Sequence, residues 1–132
     1  MLMPTVSRYM TREPYSVAST ANLDRARALL ISHGIRHLPV IDGDKLVGVL
    51  ARAEVDAVAS VPGVELTHVE VARVMTPPIH VWSETPLDEV SDLMSDKRAD
   101  CVVVMGGHGV QGIFTAIDAL RALSELLRRA AS

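Results

Sequence analysis

The feature of this sequence that most constrains its fold is an internal repeat. A shift of 64 positions places identical residues of the two halves on each other: Val17 and Val81, Ser19 and Ser83, Leu23 and Leu87, Asp24 and Asp88, Leu29 and Leu93, Val40 and Val104, Gly43 and Gly107, Gly48 and Gly112. Just upstream the shift becomes 65, and the matching pairs are Val6 and Val71, Arg8 and Arg73, Met10 and Met75, Thr11 and Thr76. A constant register over two long segments indicates that one supersecondary unit has been duplicated.

Both copies predict the same order of elements, β-α-β-β-α. A short strand precedes a helix with one apolar stripe, a hairpin follows, and a second helix ends the copy. The predicted strands are 15–17, 37–41 and 46–50 in the first copy and 79–82, 101–105 and 110–114 in the second. The predicted closing helices are 53–59 and 116–130.

Local signals mark where these elements begin and end. Thr85 followed by Pro86 predicts a helix N-cap with proline in the first helical position. Gly34 predicts the end of the first helix. The hairpin turns, DGDK and GGHG, carry the glycine and aspartate that left-handed backbone favours.

The domain organisation follows from the repeat. We expect a first copy at 1–59, a connector at 60–70 and a second copy at 71–132. Each copy of about 60 residues buries too little apolar surface to be stable alone, so we expect the two to pack into one module.

Composition excludes several classes of function. The net charge is −3, no basic block occurs and aromatic residues make up only 3%, so we expect no binding of nucleic acid or of an anionic membrane. No uncharged apolar run approaches the ~20 residues that span a bilayer, and no signal peptide is visible. A single cysteine, Cys101, cannot form an internal disulfide. These features predict a cytoplasmic protein.

Four phrases together carry a family resemblance: an MT pair near the start of each copy, GIRHLPVID, LVGVL and GIFTAID. From about position 6 to about position 123, the chain resembles a tandem pair of cystathionine β-synthase (CBS) domains, a Bateman module. The resemblance implies an α+β fold in which two β-α-β-β-α repeats pack about a pseudo-twofold axis. It also implies clefts between the repeats that bind AMP, ADP, ATP or S-adenosylmethionine without acting on them, and a homodimer.

The phrase GIFTAID places Thr115 and Asp118 at a strand-to-helix junction, where two interpretations compete. In the first, the two residues form a capping box that starts the helix. In the second, the carboxylate and the hydroxyl bind the 2′- and 3′-hydroxyls of a ribose, and Gly112 lets the ligand approach the strand.

The first copy helps to choose between these interpretations. At the equivalent positions it has Gly48, Ala51 and Glu54, so the hydroxyl is missing and the acid is longer. A pair needed only to start a helix should be needed in both copies. Together with the resemblance, this difference favours ribose binding by Thr115 and Asp118.

The resemblance also implies a slot for the base and contacts for phosphate. The expected lining of the base slot is Thr76, Ile79 and His80, with Val102 behind. The expected phosphate contacts are Arg36 and His37, although an arginine in a loop is more often a solvated charge.

The second copy departs from this pattern. It has Asp100 and Cys101 where the first copy has Arg36 and His37, and an acid there would repel phosphate. We therefore expect one good site per chain, and adenosine or S-adenosylmethionine remains open as the ligand.

No motif indicates catalysis. The sequence lacks GxxxxGK[ST], HExxH, CxxC and GxSxG, and its five histidines show no metal-ligand spacing. We interpret Cys101 as a small buried residue rather than a nucleophile. The leading hypothesis is a regulatory module, without an obligate cofactor and without enzymatic activity, that signals to a separate, unknown protein. The alternative is a dimeric scaffold that binds no ligand.

The last helix carries an apolar stripe that continues past the repeat: Ile117, Leu120, Leu123, Leu126 and Leu127. Two interpretations remain open, a lid over the core or a surface that docks a second chain. A twofold partner is the commonest oligomer, which favours a homodimer.

Overall fold

The computed structural model describes residues 2–132. Strands and helices follow one another in the order β1 (Thr11–Arg12), α1 (Leu23–Ser32), β2 (His37–Asp42), β3 (Lys45–Ala51), α2 (Arg52–Ala59), β4 (His80–Trp82), α3 (Leu87–Lys97), β5 (Cys101–Gly106), β6 (Gly109–Thr115) and α4 (Ala116–Ala131). Three short 3-10 helices lie at Val6–Arg8, Leu66–His68 and Val71–Arg73. The predicted mixture of helices and strands in two similar repeats is confirmed.

The chain divides into two compact units. Pro14–Pro78 forms one, which we call the repeat-1 unit. Residues 2–13 and Ile79–Ser132 form the other, the repeat-2 unit. Residues 2–13, which begin the first repeat in the sequence, therefore fold with the second repeat, and residues 71–78, which begin the second repeat, fold with the first.

The repeat-2 unit is built on a four-stranded sheet with the order β1-β6-β5-β4. Strand β4 runs parallel to β5, whereas β5 and β6 form an antiparallel hairpin. The N-terminal segment adds β1, in which Thr11 pairs with Ile113. The same segment places Val6 and Met10 in the apolar core, beside Phe114. Burial of these side chains is what fixes the segment to the sheet.

The repeat-1 unit shows the same arrangement with fewer regular strands. Its hairpin, β2 and β3, is flanked by a parallel bridge between Val17 and Val40 and by an antiparallel bridge between Val49 and Thr76. Val17 thus occupies the place of β4, and Thr76 the place of β1. The strand predicted at 15–17 is reduced to this single bridge at Val17, because the backbone leaves the sheet on either side of it.

Most predicted boundaries of strands and helices agree with the structure to within one residue. The helix ends include one signal that was correct and one that was wrong. Gly34, with φ +61°, follows the last turn of α1 as predicted. The N-cap predicted at Thr85 is wrong: Pro86 takes the cap position and Leu87 is the first helical residue. The Thr85 hydroxyl instead accepts a hydrogen bond from the Trp82 amide at 3.2 Å, closing the turn after β4.

Within residues 2–132, no helix has both the length and the apolar character that a membrane span requires.

Candidate functional site

The candidate site lies where β6 ends and α4 begins. Thr115 is in an extended conformation, and its hydroxyl accepts a hydrogen bond from the Asp118 amide at 3.3 Å. In return, Oδ2 of Asp118 accepts from the Thr115 amide at 3.0 Å. These reciprocal bonds are the capping box predicted from the sequence, and they satisfy two amides that a helix start leaves without partners.

A third residue, Thr11, joins this pair from β1. Its hydroxyl lies 3.4 Å from Oδ1 and 3.3 Å from Oδ2 of Asp118, although 107 positions separate the two residues in the sequence. The Asp118 side chain is buried, with 6% of its surface exposed. A buried carboxylate requires hydrogen-bond donors, and Thr11 supplies one that a capping box alone lacks.

The two oxygens of Asp118 are unequally used. Oδ2 accepts from the Thr115 amide at 3.0 Å, the Thr115 hydroxyl at 3.2 Å and the Thr11 hydroxyl at 3.3 Å. Among the described residues, Oδ1 has only the 3.4 Å contact with Thr11, which it shares with Oδ2. Because Oδ1 has only this shared contact, it has capacity to accept from a further donor such as a ligand hydroxyl.

Gly112, which was predicted to let a ligand approach, has a structural role. A Cβ atom at this position would lie 2.6 Å from the carbonyl oxygen of Thr11 and 2.7 Å from Sδ of Met10. The missing side chain therefore allows β1 to pack against β6, and with it brings Thr11 to Asp118. Contact of Gly112 with a ligand stays a prediction.

Three other predicted site residues belong to the repeat-2 unit. Ile79 is partly buried against its core, and Val102 is fully buried within it, opposite Phe114 in the hairpin. His80 begins β4, is exposed, and makes an edge-to-face ring contact with Trp82. Their predicted roles in a base slot remain predictions.

Cys101 starts β5 and pairs with Thr115. Burial is the main cause that raises the pKa of its thiol to about 12, and the negative charges of Asp118 and Asp100 raise it further. Cys101 is therefore a neutral thiol near pH 7, which agrees with its interpretation as a packing residue rather than a nucleophile. Two carboxylates, those of Asp118 and Asp100, thus act on the thiol at the start of β5.

The remaining predicted residues, Arg36, His37 and Thr76, lie in the repeat-1 unit. The Arg36 carbonyl accepts from the Arg52 amide at 2.8 Å, and His37 begins β2 opposite Ala51. Thr76 exchanges backbone hydrogen bonds with Val49 at 2.9 Å. Their predicted ligand contacts remain predictions.

The start of α2, the counterpart of the candidate site, carries no such side-chain constellation. Ala51 takes the cap position without a side-chain hydrogen bond, and Glu54 lies in the first turn. The Thr76 hydroxyl points to the carbonyl oxygen of Val49, at 3.4 Å. The difference that the sequence indicated between the two repeats is thus present in their hydrogen bonds.

Thr11 is the residue of this site that sequence reasoning missed. Thr76 was preferred because it directly precedes the second copy, but the structure pairs the leading segment of each repeat with the other repeat's hairpin. The repeat makes Thr11 an equal candidate, since the 65-residue register aligns it with Thr76, but it does not choose between the two. No cluster of metal-ligating side chains accompanies this site. Within residues 2–132, no group of three or more His, Cys, Asp or Glu side chains could hold an ion.

Solved structures of similar proteins share this fold. The AcuB protein from Vibrio cholerae is 26% identical, with a TM-score of 0.85 over 99% of this chain and 98% of its own. The CBS domain pair of protein MJ0100, solved with 5′-methylthioadenosine and S-adenosyl-L-methionine, is 25% identical, with a TM-score of 0.82 over 94% and 98%. CBSX2, solved with AMP, is 25% identical, with a TM-score of 0.79 over 93% and 98%.

Curated relatives are much longer than this chain. It is 28% identical to an inosine-5′-monophosphate dehydrogenase from Thermoplasma acidophilum over 81% of its length, but spans only 21% of that enzyme. It is 23% identical to an A-adding tRNA nucleotidyltransferase from Geobacter sulfurreducens over 89% of its length, and spans 13% of that enzyme. The family model of the CBS domain matches residues 6–58 and again residues 71–125, so this chain belongs to the CBS domain family and carries two copies of the domain.

Proposed function

We propose that this chain is a regulatory module that binds an adenosine-containing ligand through Asp118. Ligand binding to the module would then change the activity of a separate protein. The observation that carries the proposal is the unequal use of the buried Asp118 carboxylate. Oδ2 is occupied by the capping box, whereas Oδ1 keeps acceptor capacity.

A ribose fits this arrangement because its neighbouring hydroxyls are two donors a short distance apart. One can donate to Oδ1, and the other can bond the Thr115 hydroxyl or take the place of Thr11 on the carboxylate. Thr11 and Thr115 hold the carboxylate in position before the ligand arrives, which lowers the conformational cost of binding. The adenosine class is supported by the two relatives solved with 5′-methylthioadenosine, S-adenosyl-L-methionine and AMP.

The charges of the repeat-2 unit favour a ligand with little negative charge. Asp118 and Asp100 both act on Cys101, so a phosphate near the start of β5 would meet a negative field. S-adenosylmethionine and 5′-methylthioadenosine avoid this repulsion. AMP, ADP or ATP would need the positive charge of Arg36 near the phosphate, with His37 as the second proposed phosphate contact. Thr76, Ile79, His80 and Val102 complete the proposed base slot.

We further propose that the module is not an enzyme and acts in the cytoplasm as a homodimer. The neutral thiol of Cys101 suits a non-catalytic role. Binding would act by stabilising one arrangement of the module over another, by an amount equal to the difference in ligand affinity between the two.

A ligand-free dimeric scaffold is the second candidate function. It is favoured by the completeness of the capping box, since the buried carboxylate of Asp118 already has donors from Thr115 and Thr11. In this case the hydrogen bonds among Thr11, Thr115 and Asp118 only hold α4 and β1 together.

Isothermal titration calorimetry with Asp118→Asn tests the ribose assignment. The side-chain oxygen of asparagine can still accept from the Thr115 amide, which places the NH₂ group where Oδ1 now lies. The cap is retained, but a ligand hydroxyl loses its acceptor. We expect wild type to bind one of AMP, ADP, ATP, S-adenosylmethionine or 5′-methylthioadenosine, and the variant to lose about 1–3 kcal/mol of binding free energy.

Glu54→Gln is the matched control, because it changes the equivalent acid of the other repeat. It should leave the affinity of this site unchanged. Equal affinity of wild type and Asp118→Asn, with unchanged unfolding midpoints, would refute ribose binding by Asp118. Thermal unfolding separates the two functions, because a ligand that binds only the folded state raises the midpoint. No shift with any of the five at millimolar concentration would support the scaffold.

A further inference from the structure

Helix α4 has a second apolar side that faces solvent. Four large side chains share it, and each exposes more than half of its surface: Ile117 53%, Leu120 59%, Leu123 52% and Leu127 60%. We call these four residues the α4 face. Ala122 and Leu126, on the other side of the helix, pack into the core of the repeat-2 unit. Isolated exposed leucines are ordinary, but four in one row at helical spacing indicate a binding surface.

The equivalent surface of the first repeat is polar. The 64-residue register places the α4 face on Ala53, Asp56, Ala59 and Gly63. Asp56 lies in an exposed ion-pair group, 3.5 Å from Nε of Arg27 and 3.7 Å from Nε of Arg52. Helices α1 and α2, which the structure describes in full, together expose one large apolar side chain, Ile31. The apolar row thus belongs to the second repeat and has no counterpart in the first.

Two arginines line one edge of the α4 face. Arg121 and Arg128 are seven positions apart, about two helical turns, so their side chains stand on the same edge. Both are exposed, and neither guanidinium has a hydrogen bond or an ion pair within residues 2–132. Arg129 differs, since its guanidinium pairs with Glu125 at 2.6 Å. The edge therefore offers two positive charges to a partner.

Helix α3 of the same unit offers the opposite charge. Helices α3 and α4 pack on one core, through Val90 and Met94 of α3 and Ala122 of α4. The solvent side of α3 carries four exposed acids: Asp88, Glu89, Asp92 and Asp96. The repeat-2 unit therefore presents an apolar row, a basic edge and an acidic helix, which together can complement a second copy of the same unit.

A second copy can cover the α4 face in two ways. If its repeat-1 unit does so, leucines meet the ion pairs of Asp56, which lose water and gain no polar partner. If its own α4 does so, apolar side chains meet apolar side chains, and the arginine edge lies against a unit that carries the α3 acids. A twofold axis through this second contact repeats each pairing.

We propose that the α4 face docks on the α4 face of a second copy of this chain, so that the second repeats of the two copies are joined. Arg121 and Arg128 of each copy pair with the acids on α3 of the other. The inference rests on the homodimer of the proposed function and adds which repeats meet. It does not depend on the nucleotide site, which uses the buried side of α4.

Engineered cysteines at equivalent positions test which repeats meet. Ser124 lies on α4 between Leu120 and Leu127, and the 64-residue register places it on Ser60 at the end of α2. Each serine is changed to cysteine in a Cys101→Ala background, and a short bismaleimide is added. We expect Ser124→Cys alone to give covalent dimers. The proposal would be overturned if it gave none, or if chains with Ser124→Cys were linked only to chains with Ser60→Cys.

Substitutions on the α4 face measure its contribution to the dimer. Sedimentation velocity of Leu120→Ser with Leu127→Ser should show a dissociation constant about 100-fold higher, because buried apolar side chains dominate such interfaces. Ile31→Ser is the matched control, since Ile31 is 50% exposed but lies on α1, and it should leave the constant unchanged. A monomeric wild type would refute the homodimer and this inference together. A dimer that the leucine changes leave intact would refute this inference alone.

Charge reversal tests the pairing of α4 with α3 across the two copies. Arg121→Glu with Arg128→Glu should weaken the dimer about tenfold at low ionic strength, where charge pairs are least screened. Addition of Asp92→Lys and Asp96→Lys to the same chain should restore the affinity. Arg129→Gln is the control, because its charge is already paired within its own helix, and it should change nothing. An arginine reversal without effect, or one that the lysines do not rescue, would contradict this pairing.

Discussion

The starts of α4 and α2 are the same structure built with different side chains. Both follow the last strand of a hairpin, and both lie beside a leading segment that ends in Met-Thr. At α4, Thr115, Asp118 and Thr11 form one hydrogen-bonded group. At α2, Ala51 takes the cap position without a side-chain hydrogen bond, and the Thr76 hydroxyl lies 3.4 Å from the backbone carbonyl oxygen of Val49. A helix of the same kind thus starts at α2 without such a group. This contrast supports the proposal that the group at α4 does more than start a helix.

The two glycines beside these helix starts give the largest contrast. In Gly112→Ala the new methyl group would lie 2.6 Å from a backbone oxygen of Thr11, whereas in Gly48→Ala it would meet the side chain of Met75, at 2.7 Å. A side chain can rotate away, but β1 must shift as a whole. We expect Gly112→Ala to lower the free energy of unfolding by about 1–3 kcal/mol and Gly48→Ala by less. Chemical denaturation of both variants measures the difference, and equal losses would show that β1 moves as easily as Met75.

Exchange of the cap residues gives the next largest effect. Thr115→Ala removes the acceptor for the Asp118 amide and should cost about 1 kcal/mol of unfolding free energy. Ala51→Thr with Glu54→Asp installs the same capping box at α2 and should raise the unfolding free energy by up to a similar amount. Urea unfolding of both variants measures these two changes in unfolding free energy. A stabilised α2 would mean that the first repeat lacks the box although its backbone could use it.

The pH dependence of Cys101 gives the smallest effect near neutrality. Its pKa is raised in the folded chain, so the folded state keeps a proton that the unfolded state loses above its ordinary pKa of about 8.5. The contribution is fully present below that pH and is lost as the pH rises towards 12. We therefore expect the decline in stability from about pH 8.5 upward to be shallower in Cys101→Ala than in wild type. Identical slopes in the two proteins would indicate that the thiol ionises freely. The same shift predicts slow alkylation of the native thiol at pH 8.

Secondary structure could be predicted because its signals are local. Alternating apolar residues and the turn glycines gave both hairpins, and helical spacing gave all four helices. The failures were also local in origin. At Thr85 a turn competed with the cap for the same hydroxyl, and at 15–17 only Val17 pairs, in a parallel bridge with Val40.

The sequence by itself determined the duplication, the order of elements and the asymmetry between Asp118 and Glu54, because each can be found by comparing the chain with itself. Only the tertiary structure decided that residues 2–13 fold with the second repeat and that Thr11 contacts Asp118. The two threonines are equivalent in sequence, and no local preference distinguishes a partner 107 positions away. The choice depends on which hairpin edge each segment covers, and that is set by burial of Val6 and Met10 in one core.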